Sequence, residues 1–73
     1  MMQPYDVIRD FVAEEALSGR ERRFRAGDIV AYDMGQRDEV VVIEADRTRF
    51  LVPSSTFKAC CKFKNVGGSA YGP

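Results

Sequence analysis

Histidine and tryptophan are both absent from the 73-residue sequence, and cysteine occurs only as the adjacent pair Cys60 and Cys61. Without histidine there is no imidazole for a catalytic triad, a dyad or a proton shuttle. Two thiols and no imidazole do not complete a four-ligand zinc site within one chain, and neighbouring cysteines do not make a disulfide framework. No apolar run approaches the roughly 20 residues that a membrane-crossing helix needs. The opening "MMQPYDVIRD" carries an early carboxylate and no leucine-rich stretch, unlike a secretory leader. Net charge is missing as well: the formal value is zero, so no global field draws the chain toward nucleic acid. These absences lead us to expect a cytoplasmic protein that is not an enzyme and uses no metal, cofactor or membrane.

What is present is enough for one small core. Hydrophobic residues make up 45% of the chain, and five Phe and three Tyr supply the bulk. Ordering each residue costs about 1.5 kcal/mol, against about 25 cal/mol for each Å² of apolar area buried. At this length the two nearly cancel, so a partner can contribute to stability. We expect a single domain over residues 1–66 and a flexible tail over 67–73. Charge is segregated along the chain. Residues 1–19 carry Asp6, Asp10, Glu14 and Glu15 against Arg9, whereas residues 20–26 carry Arg20, Arg22, Arg23 and Arg25 against Glu21.

Residues 4–18, "PYDVIRDFVAEEALS", read as an amphipathic helix. Pro4 suits a first turn, Asp6 complements the helix dipole, and Val7, Ile8, Phe11, Val12 and Ala16 fall at spacings of three and four. Gly19 serves as its left-handed stop. After the arginine-rich joint, Gly27 and Asp28 signal a turn, and Ile29–Met34 form a strand. Glu39–Ala45, "EVVVIEA", is the strongest strand; its unbroken β-branched run implies cover on both faces, with the N-terminal helix as the lid. Asp46 and Arg47 make a tight hairpin turn, Thr48–Val52 return, and Pro53 ends that strand. "PSST", residues 53–56, reads as one tight or 3₁₀ turn. Phe57–Lys64 then alternate as a half-buried strand, with Cys61 inside, Cys60 an exposed thiol, and a lysine-rich outer face.

This order resembles an SH3-like small barrel over residues 24–64. "GDIVAY" is similar to the strand such barrels share with Tudor and KOW domains, and "VPSSTF" to the helical turn before their last strand. Together with the helix read over residues 4–18, the resemblance implies a mainly β fold with one N-terminal α-helix, as a small barrel or strongly bent antiparallel sheet of four to five strands. The families' functional residues do not carry over. There is no Trp for a polyproline groove, and Tyr32 and Phe50 supply only two walls of a methyl-binding cage. The Gln-Ile-Tyr pore pattern of plasmid-borne dihydrofolate reductases is absent. In size and make-up the chain is also similar to the self-contained products of phages, plasmids and other mobile elements.

Two surfaces are left as candidates. Val40 and Val42, if the helix does not cover them, form a sticky sheet face suited to a protein partner or a homodimer, with the exposed side of the helix, or the joint of Arg20, Arg22, Arg23 and Arg25, at its rim. Alternatively those four arginines grip phosphates while Phe24 stacks on a base and Lys62 and Lys64 extend the basic patch. Against that, Phe24 can enter the core and the arginines pair with nearby acids. The expected role is a small non-catalytic protein-binding module, self-associating or not. The alternatives are a nucleic-acid-binding barrel and a small subunit of a larger assembly.

Overall fold

The opening of the chain forms two strands and a turn. The computed structural model of the protein describes residues 1–64, so the tail expected at 67–73 lies outside the described residues. In place of the helix expected over 4–18 stand β1 (Met2–Val7) and β2 (Phe11–Glu15). Tyr5 and Val7 in β1, and Phe11 and Ala13 in β2, alternate as strand residues do, while the break between the strands leaves Val7 and Phe11 at a helical interval of four as well. Tyr5, Val7, Phe11 and Val12 are all β-favouring, and strand neighbours on both sides decide the matter. β1 pairs with β4 (Ile29–Asp33) and β7 (Cys61–Phe63), while β2 pairs with β3 (Glu21–Phe24) and β6 (Thr48–Pro53). The break between β1 and β2 is fixed by the Cys60 carbonyl, which accepts from the amides of Ile8 at 2.7 Å and Arg9 at 3.3 Å. Gly19 has φ +74°; it is left-handed as expected, but it turns a hairpin instead of ending a helix.

With β5 (Val40–Ala45) the strands of the described residues make one curled, all-antiparallel sheet of seven, in the order β3-β2-β6-β5-β4-β1-β7. Seven strands replace the expected four to five because the segments expected as the helix and the arginine-rich joint form β1, β2 and β3. The Asp46–Arg47 turn is present, with φ of 52° and 61°. The only helix among the described residues, α1 (Ser54–Cys60), is C-terminal and follows Pro53 directly. The strand expected over Phe57–Lys64 therefore shrinks to Cys61–Phe63. Phe57, Cys60 and Cys61 are the buried residues here, a spacing of three and four that fits a helical turn.

The concave side holds one core. Phe24, Ile43, Val7, Val30, Val41 and Val52 are its largest fully enclosed side chains. Phe24 stacks on Phe11 with centroids 5.2 Å apart and meets Phe50 edge-on at 5.1 Å. α1 packs on β5, β6 and β7 and covers one end. No helix among the described residues is long and apolar enough to cross a membrane.

Candidate functional site

The outer face of β2, β6 and β5 is where apolar side chains meet solvent. In a strand, alternate residues face opposite ways, so burying Ala13, Val41, Ile43, Phe50 and Val52 turns Val12, Val40, Val42, Leu51 and Pro53 outward. The registers bring them together: Val42 lies opposite Leu51, Val40 opposite Pro53, and Leu51 also opposite Glu14. Val12 is 43% exposed, Val40 50% and Leu51 36%. Among the described residues only the inner face of β5 is covered; the helix expected as a lid over Val40 and Val42 does not form, because its residues make β1 and β2. Val12, Glu14, Glu21, Val40, Leu51 and Pro53 line a shallow groove of about 420 Å³ on this face. The alternation of Phe50, Leu51 and Val52 already marked Leu51 as outward-facing, whereas Val12 was hidden by its assignment to a helix.

Gln36 positions the upper half of β5. β4 and β5 share only the pairs Ala31–Glu44 and Tyr32–Ile43, and beyond them the strands part. There the Gln36 side chain takes the place of a neighbouring strand. Its Oε1 accepts from the Val42 amide at 2.8 Å and its Nε2 donates to the Val42 carbonyl at 2.9 Å. Beside it, the Asp33 carboxylate accepts from the Gly35 amide at 3.1 Å and the terminal ammonium at 3.3 Å. Chiefly through the Gly35 bond, and then through the ammonium, its pKa is held below the usual carboxylate range.

The arginine joint is divided by its own strand. Arg22 lies on the inner side, its guanidinium 4.7 Å from the Phe24 ring centroid and 5.4 Å from that of Phe50, with an ion pair to Asp46 at 2.9 Å. Arg23 lies opposite Val12 and is exposed. Arg20 and Arg25 occupy the flanking turns, also exposed, and Arg20, Arg23 and Arg25 have no ion-pair partner among the described residues. Phe24 is 1% exposed; it belongs to the core and has no face free for a base. Lys62 and Lys64 belong to the opposite end of the strand order, where Lys64 reaches Asp6 at 3.4 Å. The strand order thus does not join the two basic groups into one stripe.

Tyr32 and Phe50 fall into different aromatic groups. Tyr32 stacks on Phe57 at 4.2 Å and meets Tyr5 at 5.2 Å, and Tyr5 in turn touches Phe63 at 5.5 Å. Burial, and then the neighbouring Tyr32, push the Tyr5 hydroxyl above its ordinary pKa. Cys60 is not the exposed thiol expected: α1 turns it inward, so both cysteines are buried and unpaired. Desolvation, followed by Cys60, pushes the Cys61 thiol up to about 12, which removes it as a thiolate nucleophile near neutral pH. No group of three metal-ligating side chains occurs among the described residues. In comparisons with family models, curated proteins and solved structures, nothing matches the chain significantly.

Proposed function

We propose that the protein is a non-catalytic protein-binding module that self-associates through the outer face of β2, β6 and β5. The observation that carries this reading is the continuity of Val12, Val40, Val42, Leu51 and Pro53 across three strands, in a domain too small to hide them. Glu14, Glu21 and Arg23 at one flank supply both signs of charge, as a self-complementary two-fold contact requires. We read the sheet as an SH3-like barrel on its connectivity. A first strand leads to a hairpin, then to a three-stranded meander, a helical turn after Pro53, and a last strand that pairs back on the first.

Sedimentation velocity from micromolar to submillimolar concentration tests the function. The native chain is expected to sediment faster as concentration rises. The double variant Val40→Lys, Leu51→Lys is expected to remain monomeric while keeping its far-UV circular dichroism, because both side chains already face water. A native chain that stays monomeric throughout this range contradicts self-association.

A further inference from the structure

The free edge of β3 carries a second, independent surface. Antiparallel ladders alternate between bonded and non-bonded pairs, and the Glu15 amide donates to the Arg20 carbonyl at 2.8 Å. Counting on by twos, Ala13 with Arg22 and Phe11 with Phe24 are the bonded pairs of this hairpin. The amides and carbonyls of Glu21 and Arg23 therefore point away from β2. On that side β3 has no strand neighbour among the described residues, since the sheet order ends there.

An open edge is ready to accept another strand. Arginine determines which strand. Arg23 stands on the outer face of this edge strand beside Glu21, and Arg20 and Arg25 stand at its two ends, the three arginines exposed and without a described ion pair, while Arg22 is already satisfied by Asp46. A second copy adding through this edge would bring together two segments that each carry Arg20, Arg22, Arg23 and Arg25 against Glu21 alone, and the excess of like charge on facing strands repels. The edge is guarded against itself and complementary to carboxylates.

The geometry points to strand addition at β3 by an extended, acidic segment of a partner protein. The segment would exchange backbone hydrogen bonds with Glu21 and Arg23, place a carboxylate opposite Arg23, and set others near Arg20 and Arg25. A polyanion of another class, such as single-stranded nucleic acid, could satisfy the charges and accept from the amides, but it does not present the alternating donors and acceptors of a strand to the two amides and two carbonyls together. This difference makes the proposal testable without knowing the natural partner.

The probe is a short blocked peptide of alternating glutamate and threonine, titrated into the full-length chain and followed by amide NMR and hydrogen exchange. The Glu21 and Arg23 amides are expected to gain at least about tenfold protection. The same peptide N-methylated at alternate residues, and the double variant Arg20→Glu, Arg25→Glu with the unmodified peptide, should each weaken binding at least about tenfold. The variant's folding is checked by its unchanged core methyl resonances. The proposal is overturned if the methylated peptide binds as well as the unmodified one, if the two amides stay unprotected, or if a short oligothymidylate binds more tightly than the peptide.

Discussion

Gln36 shows how one side chain can stand in for a length of strand. A side-chain amide presents a donor and an acceptor at nearly the spacing of a peptide group, and Gln36 uses both on Val42. Without it, a half-buried amide and carbonyl of β5 would lose their partners just where β4 has moved away. Gln36→Met keeps the volume and removes both groups. It should cost about 1–3 kcal/mol, the range expected when partly buried backbone groups are left unsatisfied, read as a lower urea midpoint at constant slope. Gln3 is also half-buried, but its side chain donates only to the Met1 sulfur at 3.3 Å. Gln3→Met should therefore change the midpoint little, and equal losses at the two positions would refute the strand-substitute role.

At the scale of elements, the β5–β6 hairpin turns through two left-handed residues, neither of them glycine. Asp tolerates this conformation through its short polar side chain, but Arg47 at φ 61° does not. Arg47→Gly should raise stability by about 1 kcal/mol, because glycine at the second position of such a turn removes the Cβ conflict. An unchanged or lower thermal midpoint would show that the arginine side chain gains something in the turn that offsets its strain. This hairpin is legible in the sequence because a polar pair interrupts two apolar runs rich in β-favouring residues. The segments around it show why other elements were not. In "PYDVIRDFVAEEALS" the pairs Tyr5 and Val7, and Phe11 and Ala13, keep the strand period while Val7 and Phe11 also fit a helical one, and only pairing partners distant in sequence select the strand. The segment "FKACCKFK" erred the opposite way: its alternation looked clean, yet Pro53 followed by Ser-Ser-Thr opens a helical turn that buries Phe57 and Cys60. The candidate face was half legible for the same reason. Val40 and Val42 lie in a strand read correctly, whereas Val12 lies in one that was not.

For the molecule as a whole, the consequential fact is that the first strand in sequence is interior to the sheet. β1 joins β4, in the middle of the chain, to β7 at the end of the described residues, so neither pairing forms until distant parts of the chain meet. Its Val7 is 2% exposed, and the Val7 amide and carbonyl also bond Asp28 and Gly27, each at 2.8 Å. A domain of this size holds a total stability of about 5–10 kcal/mol. Removing one enclosed aliphatic side chain costs about 2 kcal/mol of that, and removing β1 also opens two ladders and the rim of the core. A chain starting at Ile8 should therefore show no cooperative urea transition, while adding a synthetic peptide of residues 1–7 should restore one whose midpoint rises with peptide concentration. A truncated chain that still unfolds cooperatively at the native midpoint would mean that the remaining strands make a complete fold, and that β1 is an accessory to the sheet and not its link.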